Sequence, residues 1–562
     1  MGIGRRRPTA GATGTAGAAT APRAAGAAGA ARLSGAARAA GVAAVALAVT
    51  AGTISTAGAV GAAPDGDGDT RRPGVNRLEG VWQTNGYGII VEIHGTAFTT
   101  YDVTRISCTP GFYSGAQVGA PGRDGTVRYG QSGKAYASSS VTPRGHDRAV
   151  YKEDGAASAR DLTRLPGGLP AQCRQPAPQD ALASFDRFWA TFEENYPFFA
   201  AKGIDWRAKG AQARAGITPQ TSTDDLQKIL VDLLEPLGDA HTALGRKRPG
   251  GGYAGVFGGL RPGTAEPTDE LREQAARAVA AQLLAPEQTF GQGQLGVGEL
   301  PGGIGYLRVS GFSGYVEDGP YQDHAAELDR ALDLLLAHPE RLNGVVVDLR
   351  LNGGGSDELG LRIAARLTDR PFLAYRKVAR NDPADPTRFT RPQPSVVRPA
   401  AGTTRYTGPV ALLTAGSTVS AGETFTQAMA ERRPAPVRIG ENTQGVFSDI
   451  MFKPVSADFV AVLPNEKFLT RSGSTFDGPG IPPNVRTPVF TPEELSQGRD
   501  SALTEARRLL SAGAAGSTGA SDATDAADAA DAADAANAAD AANAADATGA
   551  AVSTAAAGAG SR

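Results

Sequence analysis

The sequence predicts a multidomain α/β protein, with an N-terminal small all-β module, a small helical bundle and a larger α/β domain set between disordered, low-complexity tails. Three observations predict it. The aromatic residues and most of the large aliphatic ones fall between about Val75 and Leu510, whereas Ala and Gly dominate both ends. Within that interval the apolar rhythm changes twice, from short β-prone runs to helical spacing and then to strands alternating with helices. The length, 562 residues, exceeds what one core supports and leaves room for about two to four domains.

Residues 1–63 begin with Arg5, Arg6, Arg7, Arg23, Arg32 and Arg38, and no acid occurs among the first 40 residues. An apolar run, Ala40 to Val49, follows, and then the small residues Ala57-Gly58-Ala59 and Ala62-Ala63-Pro64. That order is the pattern of a secretory signal peptide cleaved near residues 59 to 63, so the mature chain is expected to be secreted and extracellular. A membrane anchor needs about 20 strongly apolar residues. This run is short and half Ala, the residues after it are Ala, Gly and Thr with little else, and no stable membrane span is expected after cleavage. Residues 64–75 read as a linker.

Over residues 76–166, the runs Val81-Trp82-Gln83-Thr84, Ile89-Ile90-Val91-Glu92-Ile93 and Ala97-Phe98-Thr99-Thr100-Tyr101 sit between turn residues and predict the β module. Over 181–245, Phe185, Phe188, Trp189 and Phe192, then Leu226, Leu230, Leu233 and Leu234, recur at helical spacing and predict the bundle. Residues 246–302 hold one amphipathic helix, about Asp269 to Leu284, and are expected as a connector. The α/β domain spans 303–510. Its strands are Ile304 to Val309, Val345 to Leu349 and Pro409 to Thr414, and its helices carry Leu328, Leu332 and Leu335 on one face or run from Ser420 to Arg432. Over 511–562 the Asp-Ala-Ala triplet recurs, and a three-residue period leaves no apolar stripe on a 3.6-residue helix. This is the Ala/Asp tail.

Lys plus Arg total 56 against 58 Asp plus Glu, and the net charge of -2 gives no field to attract nucleic acid. The two cysteines, Cys108 and Cys173, are expected to pair as one disulfide in an exported chain. Two cysteines, five scattered histidines and no HExxH give no metal site, and no cofactor is expected.

Four segments carry chemistry. Ala415-Gly416-Ser417-Thr418-Val419-Ser420-Ala421-Gly422-Glu423 follows a strand directly and puts Ser420 at a helix N-terminus, where free N–H groups and the dipole favour developing negative charge. A plain N-cap is the competing reading. Asp348-Leu349-Arg350-Leu351-Asn352-Gly353-Gly354-Gly355-Ser356 is another strand running into a helix, and its three glycines let backbone N–H groups approach a ligand. The GK[ST] ending of a phosphate loop is absent, and the GxGxxG match at Gly291 to Gly296 opens no recognisable helix. Leu237-Gly238-Asp239-Ala240-His241-Thr242-Ala243-Leu244 offers His241 as a base for a serine, whereas His94, His146, His324 and His338 read as solvated. Phe476-Asp477-Gly478-Pro479-Gly480-Ile481-Pro482-Pro483 is by composition a turn.

In this order the four segments resemble the tail-specific or C-terminal-processing serine peptidases, a family that includes the tricorn protease core, and the resemblance covers roughly Ala181 to Val489. It implies a ClpP/crotonase-like α/β catalytic domain, an acyl-enzyme mechanism, and a peptide or protein substrate. The tricorn-like branch makes Ser420 the nucleophile and His241 the base, and puts Asp477 where that branch has an orienting acid. The oxyanion donors map to the N–H of Ala421 and to the glycine loop, at Gly354 or Gly355. Two departures stand out: Ala240 replaces a serine beside the histidine, and the acid is the shorter Asp. The branch with a Ser-Lys pair is disfavoured, since no lysine lies between Ser420 and Lys453. The rival expectation is a non-catalytic secreted ligand-binding protein on the same fold, as among the retinoid-binding relatives of these peptidases.

Overall fold

The computed structural model describes residues 77–131, 134–249 and 251–516. The expected signal peptide, the linker and the tail beyond residue 516 lie outside the described residues. The β-prone runs form β1 (Gly80–Thr84), β2 (Ile89–His94), β3 (Ala97–Val103), β4 (Cys108–Pro110), β5 (Gly115–Gln117), β6 (Val127–Gln131), β7 (Lys134–Pro143), β8 (Arg148–Glu153) and β9 (Arg160–Arg164). They order as β2-β1-β9-β8-β7-β6-β5-β3-β4, and the extra β2–β3 pairing joins the two ends of the sheet into a barrel-like closure. Trp82, Val91, Ile93, Phe98, Tyr129 and Leu162 are buried in its core. Cys108 and Cys173 are disulfide-bonded, which ties β4 to the segment that follows the barrel.

Three helices come next, α1 (Ala181–Asn195), α2 (Trp206–Arg214) and α3 (Thr223–Leu234). Asp180, Asp205 and Ser222 cap them, each side chain accepting from a first-turn N–H. Phe185, Phe188 and Phe192 of α1 continue the core of the barrel, so the β module and the helices share one apolar interior. The helices stop before the histidine. Pro236 and the left-handed Gly238 end the helical run, and β10 (Asp239–Lys247) begins, where the sequence predicts the bundle to reach residue 245.

The expected connector is also more structured. It contains β11 (Tyr253–Gly258), α4 (Asp269–Ala280), β12 (Gln288–Phe290) and β13 (Leu295–Leu300), and the last of these pairs along its length with β14 (Ile304–Val309). The α/β part continues with α5 (Tyr321–Leu335), β15 (Gly344–Asp348), α6 (Asp357–Arg366), β16 (Phe372–Ala379), β17 (Gln393–Val397), β18 (Val410–Thr414), α7 (Ala421–Ala430) and β19 (Val437–Gly440). After these come β20 (Ile450–Pro454), β21 (Phe459–Pro464), β22 (Glu466–Leu469), β23 (Val485–Arg486), α8 (Pro492–Ser496) and α9 (Ser501–Gly516).

The central sheet has the order β12-β13-β14-β15-β18-β19-β23, and its strands from β14 to β23 run parallel. Such strands are covered on both faces and read as unbroken apolar runs. Val345 and Val347 of β15 face the core that holds α5, α6 and α7, whereas Val346 faces the one that holds α4 and α9. The glycine loop follows β15 and Ser420 follows β18, so both lie at the carboxyl ends of neighbouring strands. Ligands bind there in sheets of this kind. A second sheet, β11-β10-β21-β20, carries His241, and a third has the order β17-β16-β22. Among the described residues no helix is long and apolar enough to cross a membrane, and no cluster of three His, Cys, Asp or Glu side chains is placed to hold a metal.

The barrel is docked on the second sheet through a buried cation. Lys453 Nζ donates to Tyr87 O (2.6 Å), Gly88 O (3.1 Å) and Asp102 Oδ1 (2.7 Å), and Tyr87 Oη donates to Glu466 Oε1 at 2.7 Å. Replacing one partner leaves the other buried and unpaired. Lys453→Ala is therefore expected to lower the free energy of unfolding by about 3–5 kcal/mol, read from urea denaturation. A loss under about 1 kcal/mol would show that water reaches Asp102.

Candidate active site

Ser420 is one of five described non-glycine residues with a positive φ. It takes φ 57° and ψ -120° at the head of α7, where an ordinary N-cap would be extended. A positive φ in a residue with a Cβ persists only where the surroundings impose it, and such positions cluster at active sites. Here they do impose it. Thr418 Oγ1 donates to Leu349 O, Ser417 Oγ donates to Arg350 O, and Val419 N donates to Asn352 O, so the turn is fastened to the glycine loop. Ser420 N donates to Val446 O at 3.0 Å and to Glu423 Oε2 at 3.2 Å. Glu423 is fully buried and also accepts from Gly445 N (2.6 Å) and Val446 N (2.8 Å). Burial pushes its pKa up to about 7 against the pull of those donors.

The glycine loop is held from both ends. At its start the Arg350 guanidinium, with no solvent exposure, grips Asp348 through Nε (2.9 Å) and Nη2 (2.6 Å) and Asp500 through Nη1 (2.7 Å). Asn352 then donates from Nδ2 to Val309 O (2.8 Å) and accepts at Oδ1 from Gly354 N (2.9 Å). Gly354 has φ +88°, and a Cβ there would stand 2.6 Å from the Cβ of Ser420. Only glycine allows that approach. Gly353 N donates to Ser310 O and Gly354 N to Asn352, whereas Gly355 N and Ala421 N make no hydrogen bond among the described residues. Of the expected oxyanion donors, Gly354 is thus already engaged, and Gly355 and Ala421 are open.

His241 sits in a β-bulge of β10, where the pairing with β11 slips between Asp239 and Ala243. Bulges redirect side chains beside active sites. This one is pinned by Asp239, which accepts from His241 N at Oδ1 (2.9 Å) and from the Tyr196 hydroxyl at Oδ2 (2.7 Å). Tyr196 is the C-cap residue of α1. The helices therefore position the histidine without carrying it. Burial holds the His241 pKa below its ordinary value, opposed by the charges of Asp239 and Asp449 and by the Ser448 carbonyl. Its Nδ1 is buried without a hydrogen-bond partner.

The two predicted catalytic residues converge through their neighbours: Ala240 and Val419 pack together with Val446 in one small apolar cluster, against which Leu260 rests. No hydrogen bond joins Ser420 to His241 among the described residues. Asp477 is the expected orienting acid. Its carboxyl accepts from Phe447 N (3.3 Å) and from Thr475 Oγ1 (2.5 Å) and makes no hydrogen bond to His241. The shorter side chain is held by its own turn. The acids whose charge reaches the imidazole are Asp239 and Asp449. Asp239 stands in the same segment as the histidine, whereas no local signal marks Asp449.

Residues 303–487 match the family model described as Peptidase family S41. No curated protein matches the chain. Among solved structures, a candidate peptidase from Parabacteroides merdae ATCC 43184 is 23% identical, with 59% of this chain and 97% of that chain covered and a TM-score of 0.49. Mature CPAF complexed with lactacystin is 11% identical, with 59% and 98% covered and a TM-score of 0.43. The tricorn protease is 14% identical, with 76% of this chain and 45% of that chain covered and a TM-score of 0.37.

Burial, reinforced by Glu423 and Asp239, pushes the Asp477 pKa up to about 7. Unfolded, the same carboxyl titrates near pH 4. Between those values the folded chain keeps a proton that the unfolded chain has released, so this group's contribution to stability falls as pH rises from about 4 to 7. Asp477→Asn is expected to flatten that part of the stability profile by up to a few kcal/mol. An unaltered slope in pH-dependent urea melts would contradict it.

Proposed function

We propose that this serine peptidase, whose residues 303–487 belong to peptidase family S41, cleaves peptide bonds through an acyl-enzyme formed on Ser420. The observation that carries the proposal is the backbone at Ser420, forced to φ 57° beside a glycine loop that can approach it only for want of a side chain. A structural N-cap would need neither feature. We read the parallel sheet that presents Ser420 and the loop as a ClpP/crotonase-like domain.

In the proposed reaction His241 takes the Ser420 proton as the hydroxyl oxygen attacks the substrate carbonyl. The negative oxygen of the tetrahedral intermediate is received by the N–H groups of Ala421 and Gly355. His241 then protonates the leaving amine, the C–N bond breaks, and a water activated by the same imidazole hydrolyses the ester. The depressed pKa of His241 keeps the base neutral at pH 7. Asp239 and Asp449 supply the negative charge that steadies the imidazolium, the part expected of Asp477. The substrate is a peptide or protein that enters as an extended strand, recognised largely by backbone hydrogen bonds. The enzyme acts outside the cell after signal cleavage. The Cys108–Cys173 bridge supports that placement, since such bonds persist in oxidising compartments.

The missing Ser420–His241 hydrogen bond, with Ala240 in place of a serine, favours the non-catalytic reading. Catalytic hydrogen bonds are often long before substrate binds, so this geometry does not exclude an enzyme. Labelling by a fluorophosphonate separates the two, because only an activated serine reacts. Labelling is expected in the wild type and absent in both Ser420→Ala and His241→Ala. Ser420→Ala should also lower kcat on a peptide substrate at least ~1000-fold, and an unlabelled, inactive wild type would rule out the peptidase. The acid limb of kcat/KM is expected below pH 6.5, the ordinary value for histidine.

A further inference from the structure

Nothing in the sequence assigns the N-terminal β barrel a task, yet one of its turns reaches the residue that follows the glycine loop. Ser356, directly after Gly355, is the N-cap of α6, and its Oγ accepts from Leu359 N at 3.3 Å. The same hydroxyl donates to the carbonyl of Gly155, in the turn between β8 and β9, at 2.7 Å and across 201 residues of chain. Glu358 N donates to that carbonyl as well, at 3.3 Å. One barrel oxygen therefore satisfies two donors at the start of α6. Gly155 itself takes φ +85°, and a Cβ there would lie 3.0 Å from Ser356 Oγ. Ala157, in the same turn, packs on the core of the α/β domain. The nearby Lys152–Glu358 pair, at 3.5 Å and well exposed, adds little.

The consequence concerns Gly355. Its φ is +127° and that of Gly354 is +88°, so no side chain limits the torsions of either residue. The direction of the Gly355 N–H depends on what holds the loop at its two ends. Asn352 holds the near end. The far end is Ser356, whose N donates to Phe312 O and whose hydroxyl is held by Gly155. We propose that the β barrel is a clamp on the glycine loop, and that the Gly155 carbonyl, acting through the positioning residue Ser356, aims the Gly355 N–H at the oxyanion. The barrel then governs turnover rather than substrate capture. This inference rests on the peptidase reading for its effect on rate, but not for its effect on the loop.

The test uses the full mature chain and three variants. Ser356→Asp keeps an N-cap acceptor but loses the donor to Gly155, Ser356→Thr keeps both, and Gly155→Ala strains the same contact from the barrel side. In Ser356→Asp and Gly155→Ala, hydrogen exchange of the amides of residues 353–359 is expected to quicken by at least about tenfold, with the thermal midpoint nearly unchanged. On a peptide substrate kcat should fall by at least about tenfold, with KM within about twofold. Ser356→Thr should behave as wild type. Wild-type exchange in both disrupted variants overturns the clamp, as does a change confined to KM. A wild type without turnover would defeat the peptidase reading alone, since the exchange measurement still decides whether the barrel holds the loop.

Discussion

Asn352 has no contact with solvent and uses both ends of its side-chain amide, Nδ2 on the carbonyl of Val309 and Oδ1 on the N–H of Gly354, while its own carbonyl takes the N–H of Val419. Those three partners lie at the carboxyl ends of β14, β15 and β18. Asn352 therefore fixes in one place the spacing of the sheet edge, the path of the glycine loop and the entry to the strained turn at Ser420. A buried amide that loses a partner forfeits more than the net value of one hydrogen bond, because the group left behind remains desolvated. Gly422 marks how tight the junction is, for a Cβ there would stand 2.6 Å from Asn352 Oδ1. With the amide in place, Gly353 and Gly354 have their N–H groups engaged, and Gly355 presents the open one.

Buried charge does similar work on the side of the base. Lys377 Nζ holds Asp449 at 2.8 Å and Glu466 at 3.0 Å, and Glu466 in turn accepts from Tyr87 of the barrel. Such groups add little to stability, since their desolvation offsets their attraction, but removal of one member leaves the rest uncompensated. The arrangement is fixed by the cost of its loss. Asp449 is thereby placed where its charge reaches His241, although its chain position gives no hint of it. Asp477 lies in a drier place. The raised pKa values of Asp477 and Glu423, both about 7, report carboxyls that the fold leaves short of cationic partners, in contrast to Asp348 beside Arg350.

How much of this could be read from the residues follows from the range of the forces involved. Ser420 and the glycine loop were legible because each is a local event, an apolar strand ending in a turn that opens a helix, and the apolar runs of β14, β15 and β18 carry that pattern without help from distant residues. The setting of His241 was not. Its segment follows a helix and is short and apolar, and what makes it a strand is pairing with β21 more than two hundred positions later, which outweighs any local preference. The same holds for β13, whose partner β14 turns an expected connector into part of the central sheet. Asp477 was located by resemblance alone, and its carboxyl is held by Phe447 N and Thr475, contacts that no spacing announces. The polar contacts that dock the barrel include single residues, Lys453 and Gly155, whose neighbours in sequence look ordinary.

Ser420 and His241, the proposed nucleophile and base, are thus presented by different sheets, and no hydrogen bond joins them among the described residues. Ser420 is held rigidly by the central sheet through Asn352, Glu423 and Val446. His241 is held by the bulge of β10 through Asp239 and Tyr196, which belong to the other sheet and to the helices. The apolar contact of Ala240 and Val419 with Val446 spans the gap without directional demands, and Gln444, which accepts from Arg261 N and donates to Gly416 O, ties the segment after β11 to the turn before Ser420. A hydrogen bond contributes about 1 kcal/mol net, within the range that an extended substrate with several backbone hydrogen bonds can supply. On the proposed reading, an extended substrate lying across the seam would bring Ser420 and His241 into hydrogen-bond reach while their separate anchors stay in place.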